Sequence, residues 1–477
     1  MVDKKNSSTM VSILPTLQGM VHGMGDTAGP SYSNHTLSTL RQRHVIMIAL
    51  GGAIGAGLFV GSSAAIAAAG PAVLVAFVAV GLLVMLVMRM LGEMVTARPG
   101  RGSFVAYIRE AHGNGAAFTA GWLYWFFWLV VLGSEAIAGA ILLHEGINLP
   151  VWLLATGLIV TLMVINLVAV RIFGECEFWL SMVKVVSIVL FVLLGSLYVG
   201  HLLGPPVPVA RNLLGHGGFM PHGSIAVLSI VPTVLFTMIG SEIATVAAGE
   251  TAEPARNVAH VTRSLGTRLT LFYSLSIGLI LMIVPWSDIV PGHSPFVMAM
   301  QAMHIPGAAA GMRIVVLTAV ISCMNSSLYI TSRILAELAR HGDAPAALQH
   351  HGRRNTPVNA IVANSVAGGI VAFASIVAPD TVFSFLLSCS GAVILVVYSL
   401  IMTAYIVLRH RAGRDEQKAF FHLPLFPAIN IACLGGVVVI FAAMFSNPAQ
   451  RETAVASLGT CLLFVVIYRV RQRGSQG

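Results

Sequence analysis

The sequence predicts an all-α polytopic membrane protein with twelve transmembrane helices, arranged as two inverted five-helix repeats plus two accessory helices. Three observations carry this prediction. Of the 477 residues, 57% are apolar and only 9% are charged, and the mean hydropathy is +0.86. A soluble domain carries about 25% charge, and disorder demands low hydrophobicity. Apolar runs of spanning length recur along the chain, and at about 20 residues per span plus a short connection the length holds roughly a dozen. Positive charge alternates between connections in step with those runs.

The first run, 45–69, follows Arg41, Arg43 and His44, and the second, 72–95, leads into Arg98, Arg101 and Arg109. Runs at 117–143 and 151–170 come next, the latter ending at Arg171; 178–199 contains Lys184. The sixth run, 225–248, precedes Arg256, Arg263 and Arg268, and the seventh is 267–287. The eighth, 312–335, meets Arg333, Arg340, Arg353 and Arg354, and 358–378 and 381–408 follow, closed by Arg409, Arg411, Arg414 and Lys418. The last two are 425–445 and 454–470, with Arg469, Arg471 and Arg473 at the end. In all, 23 of the 27 basic residues fall on the terminal segments and every second connection, against Arg211, Arg313 and Arg451 on the others. Both termini are therefore expected in the cytoplasm. The net charge of +9 is topological, which argues against a nucleic-acid partner.

On this reading residues 1–40 are a disordered cytoplasmic arm, and 41–222 form the first repeat with its extracellular loop. Residues 223–411 form the second repeat, 412–471 an accessory hairpin, and 472–477 a cytoplasmic tail. The first span is expected to serve as its own insertion signal, without a cleavable leader. The five cysteines lack metal-ligand spacing and read as reduced structural thiols. No HExxH or Walker pattern occurs, so neither an enzyme, a metal nor a cofactor is expected, and any transport is secondary.

Two spans are interrupted. In the first, Gly51, Gly52, Gly55 and Gly57 fall within seven residues at mid-bilayer, where each glycine costs about 1 kcal/mol relative to alanine in a helix. Close helix packing would explain small residues on one stripe. These glycines lie on all faces, which favours an unwound stretch whose free N–H and C=O groups line a cavity. The sixth span contains Phe236, Thr237, Ile239, Gly240, Ser241 and Glu242, placing a glycine, small polar residues and a carboxylate in an apolar segment. The two interruptions lie five helices apart. Matching breaks in two halves point to a transporter site at the repeat interface, and an odd repeat of five must be inverted.

Three charged residues are placed well inside spans: Glu135, Lys184 and Glu242. Each costs at least about 2.5 kcal/mol there and should have a partner. Glu135 reads as a structural hydrogen-bonding carboxyl. Lys184 reads either as snorkelling to the cytoplasm or as a cation that titrates or replaces a sodium ion. Glu242, beside a break, reads as a coupling or gating group, or as a structural partner. Arg89 and Glu93 form an i,i+4 pair.

Several stretches carry a resemblance: Met88 to Met94 with Gly92 and Glu93, Gly121 to Trp125, Glu177 to Trp179, Ser294 to Val297, and Leu317 to Cys323. From about Leu40 to Arg411 the chain resembles amino acid permeases of the amino acid, polyamine and organocation transporter superfamily. Thr245, three residues after Glu242, and the segments Pro379 to Phe383 and Ser390 to Ala392 make it most similar to the gamma-aminobutyrate permeases. The resemblance implies a LeuT-like fold in a bacterial inner membrane and proton-coupled uptake of gamma-aminobutyrate or a related small zwitterion. By position it implies that Gly55, Ala56 and Gly57 offer N–H groups to the substrate carboxylate. Carbonyls of Ala53, Phe236 and Ile239, beside Gly240, would receive the ammonium, with Phe236 as a lid. Lys184 and Glu242 would serve coupling or gating. An alpha-amino acid such as proline, alanine or serine, a polyamine, and a non-transporting sensor remain as alternatives. Glu337 departs from the family pattern, which commonly has a small polar residue there.

Overall fold

The computed structural model describes residues 47, 51–98, 103–168, 170–240, 242–243, 254–350, 352, 356–373, 376, 379–413 and 423–474. The expectations for the 1–40 arm, for the start of span one and for Thr245 lie outside the described residues, as does the end of the tail.

Among the described residues all regular structure is helical. Eight helices among the described residues are long and apolar enough to cross a membrane. The first of them, Gly51–Ala97, serves as spans one and two because it turns at Gly70–Ala72. Gly70 makes this corner with φ +63°, and a Cβ there would lie 2.5 Å from Pro221. The others are span three (Asn114–His144), five (Val170–Val199), seven (Pro254–Ile283), eight (Ala308–Arg340), ten (Pro379–Arg411), eleven (Ala428–Ser446) and twelve (Pro448–Gly474). Three shorter apolar helices, Val151–Leu167, Gly223–Met238 and Val358–Phe373, take the places of spans four, six and nine. All twelve predicted runs are thus accounted for. Spans five and seven start 8 and 13 residues before their apolar runs. Hydropathy marks only the segment facing lipid, whereas a helix continues wherever protein or water satisfies its backbone.

Packing follows the repeat. Span one packs on span six, two on seven, three on eight and four on nine, so each helix of the first half meets its counterpart in the second. Span five packs on spans seven and eight, and span ten correspondingly packs on spans two and three. Spans eleven and twelve lie outside this scheme, packed on one another and on span ten, with span twelve also on span three and span eleven on the start of span six.

Span five shows how a membrane helix divides its faces. Glu177, Ser181, Lys184, Ile188 and Phe191 are fully buried, while Trp179, Val183, Val186 and Leu190 are exposed on the other side. The polar stripe faces the bundle and the apolar one faces outward, as charge inside a membrane requires.

Candidate functional site

Span one is helical over 51–53, bends at 54–55, and resumes through a π-turn at Gly57–Gly61 into Ser62–Ala69. Span six ends its helix Val231–Met238 at Ile239, where the backbone becomes extended (φ −78°, ψ 154°). Gly240 follows with φ +132°. A Cβ on Gly240 would stand 2.4 Å from the Ala53 nitrogen, so here the two breaks touch backbone to backbone. Each glycine of span one faces a different neighbour. Gly51 lies against Glu177 and Ser181, Gly52 against Ile243, Gly55 against Glu135 and Cys323, and Gly57 against Thr237. The helix is therefore both broken and closely packed, and the two explanations offered by the sequence hold together.

Buried backbone groups at a break need partners, and side chains from four other spans supply them. Lys184 Nζ donates to the Gly51 carbonyl at 2.6 Å, Cys323 Sγ to the Gly52 carbonyl at 3.6 Å, and Tyr273 Oη to the Ala53 carbonyl at 2.7 Å. The same Tyr273 hydroxyl also lies 2.7 Å from the Thr237 carbonyl in span six, joining the two breaks. Beyond the bend, the Ala56 N–H donates to both oxygens of Glu135 at 2.9 Å.

Ala53, Gly55, Gly57, Glu135, Phe236 and Ile239 line one cavity, with Gly52, Trp128, Val131, Thr237 and Cys323 completing its wall. It measures about 10 Å³, the room of one water molecule. Phe236 closes one side and packs edge-on to Phe127, ring centroids 6.0 Å apart. Of the residues expected to bind substrate or to carry buried charge, these six share the cavity. Ala56 turns its N–H to Glu135, and Gly240 meets span one behind the wall. Glu242 accepts from the Gly240 N–H at 3.2 Å and from Tyr124 Oη at 3.3 Å. Lys184 is fully buried and, besides the Gly51 carbonyl, donates to Ser322 Oγ at 2.8 Å. Snorkelling is thereby set aside for this lysine.

A model of the amino acid permease family matches residues 44–472. The chain belongs to that family. This permease is 38% identical over 439 residues to the gamma-aminobutyric acid permease of Bacillus subtilis, covering 91% of the chain and 94% of the relative. It is also 38% identical over 435 residues to the gamma-aminobutyric acid permease of Escherichia coli, with 90% and 93% covered. Among solved structures, a manganese transporter of Eremococcus coleocola superposes with a TM-score of 0.56 over 93% of the chain and 96% of that protein. At 12% identity this likeness concerns the fold alone. The permease has the LeuT-like inverted repeat with two accessory helices.

The restriction of buried charge to three residues needs correction. Glu93 and Glu177 are fully buried as well. Glu93 keeps its expected Arg89 neighbour at 3.8 Å but bonds more closely to Tyr405 of span ten, whose hydroxyl also takes Arg409 Nη1 at 2.5 Å. Glu177 lies one residue before the apolar run 178–199, and only the longer helix Val170–Val199 brings it inside. Its spacing to Ser181 and Lys184, four and seven residues on, is the signal that marks one helical face. Tyr273 carried no comparable signal, since a tyrosine in an apolar span reads as packing.

Proposed function

We propose that this permease is a secondary active transporter that takes up gamma-aminobutyrate or a related small zwitterionic amino acid across the cytoplasmic membrane, coupled to protons. The named activity of relatives 38% identical over nine-tenths of the chain supports the substrate class. The observation that carries the binding mode is the Ala56 N–H held by a carboxylate, Glu135, at 2.9 Å. A substrate carboxylate has the same chemistry, and the start of the resumed helix favours an anion. On this reading the substrate displaces Glu135 from Ala56, and its ammonium meets the carbonyls of Ala53, Phe236 and Ile239. The cavity is too small for an amino acid as it stands, so binding requires spans one and six to part from spans three and eight.

Lys184 is assigned to coupling because its ammonium grips the Gly51 carbonyl and reports on the position of span one. Glu242 holds the geometry of the span-six break through Gly240. The arginine-rich face is cytoplasmic by the positive-inside rule, with both termini on it. The test is uptake of labelled gamma-aminobutyrate into proteoliposomes with and without an inward proton gradient, competed by proline, alanine and serine. Accumulation should require the gradient. Uptake indifferent to the gradient overturns the coupling, stronger competition by an alpha-amino acid overturns the substrate, and binding without exchange makes the protein a sensor.

A further inference from the structure

Glu177 lies seven residues before Lys184 in span five, about 10 Å nearer the arginine-rich face at 1.5 Å per residue. Both are fully buried, and one hydroxyl joins them. Ser322 Oγ donates to Glu177 Oε1 at 2.5 Å and receives Lys184 Nζ at 2.8 Å. The other carboxylate oxygen, Oε2, accepts from Asn325 Nδ2 at 3.3 Å, and Asn325 Oδ1 accepts from Asn166 Nδ2 at 2.8 Å. Ser181 Oγ lies 3.3 Å from Glu177 Oε1 and donates to the Met47 carbonyl at 2.9 Å. The other titratable groups facing the lysine are Glu135 of span three and Cys323 of span eight.

We propose that Glu177 is the proton acceptor of Lys184, that the Ser322 hydroxyl is the relay between them, and that this is the route by which the coupled proton leaves towards the cytoplasm. The donor directions already run that way, from Nζ to Oγ and from Oγ to Oε1. In the step, an N–H bond of the ammonium breaks and its proton forms a bond to Ser322 Oγ. The proton already on Oγ passes to Glu177 Oε1. The serine is regenerated, an ammonium and a carboxylate become an amine and a carboxylic acid, and nothing is oxidised or reduced. A neutral amine is a weaker donor than an ammonium, so the grip on the Gly51 carbonyl loosens as the proton departs. Span one, which carries the Ala56 N–H, is then released. The inference rests on the assignment of Lys184 to coupling, and it adds two residues which that assignment does not require.

The test uses the full-length permease in proteoliposomes with labelled gamma-aminobutyrate and two readouts, accumulation driven by an inward proton gradient and exchange against unlabelled substrate without a gradient. Glu177→Gln and Ser322→Ala should lower gradient-driven accumulation about tenfold or more while exchange persists, and Ser322→Thr, which keeps the hydroxyl, should restore accumulation. If Glu177→Gln fails to fold, the Ser322 pair decides alone. Wild-type accumulation in both Glu177→Gln and Ser322→Ala, with Lys184→Ala impaired, overturns the relay and leaves the lysine assignment standing. Wild-type accumulation in Lys184→Ala removes the lysine assignment itself.

Discussion

At Gly240 the absence of a side chain brings two broken helices into contact. Its φ of +132° is strained for any other residue, at about 1–3 kcal/mol, and an added Cβ would also press on the backbone of Gly52 and Ala53 at 2.4–2.7 Å. Backbone cannot rotate away as a side chain can. Gly240→Ala should therefore push span six off span one, part the carbonyls of Ala53 and Ile239, and abolish the substrate-induced rise in melting temperature. Gly369 in span nine provides the control, because nothing lies within 4 Å of a Cβ there. Gly369→Ala should be neutral or raise stability by about 0.5–1 kcal/mol. An unchanged ligand-induced shift in Gly240→Ala would mean that the meeting of the breaks does not build the site. Gly55 makes a parallel case against a side chain, since its Cβ would lie 2.4 Å from Glu135 Oε1.

One scale up, the helix Phe104–His112 between spans two and three fastens the arginine-rich ends of the bundle. Ser103 caps it, accepting from the Val105 N–H at 3.3 Å, and donates to Glu337 of span eight at 2.8 Å. Arg109 pairs with Asp343 at 2.6 Å, and Trp122 of span three donates to the Asp343 carbonyl at 3.2 Å. The departure at Glu337 thus has a structural use: it ties span eight to the connecting helix. Arg109→Ala should loosen this closure by about 0.5–1 kcal/mol, a two- to fivefold effect. Cys323 reports on it from the wall of the central cavity. In a background lacking the other four cysteines, its modification by a membrane-impermeant thiol reagent applied to the arginine-rich side should quicken by that factor. An unchanged rate would show that the pair does not hold this end shut. The elements were legible in the sequence because apolar length, charge alternation and glycine clustering each report on one helix at a time. The breaks were found for that reason. The partners of the freed carbonyls were not, since Tyr273 and Ser322 look like ordinary residues of apolar spans until five helices are brought together. Glu177 escaped because hydropathy ends where the lipid-facing stretch ends, while its helix runs on from Val170.

Across the whole molecule, packing sorts the repeat into two groups. Spans one, two, six and seven pack among themselves, as do spans three, four, eight and nine, and spans five and ten lean on both groups. The central cavity is walled by spans one and six on one side and by spans three and eight on the other, so movement of one group against the other opens it without unfolding either. At the end away from the arginine-rich connections the closure is aromatic. Phe296 of the helix Pro295–Ala302 is fully buried, its ring 4.9 Å from Phe59 of span one and 4.8 Å from Phe191 of span five. That helix also packs on span eight, so the contact between Phe59 and Phe296 bridges the two groups. Alternating access requires the bridge to part in every cycle. Phe59→Cys combined with Phe296→Cys, in a background free of the native cysteines, should allow a short bifunctional thiol cross-linker to join the two positions. Cross-linking should stop uptake of labelled substrate, and cleavage of a reducible linker should restore it to the level of the unlinked double variant. Either single variant treated in the same way should be unaffected by the linker. Full uptake by a permease shown to be quantitatively cross-linked would mean that span one and the helix Pro295–Ala302 travel as one body, and the division into two moving groups would then have to be redrawn.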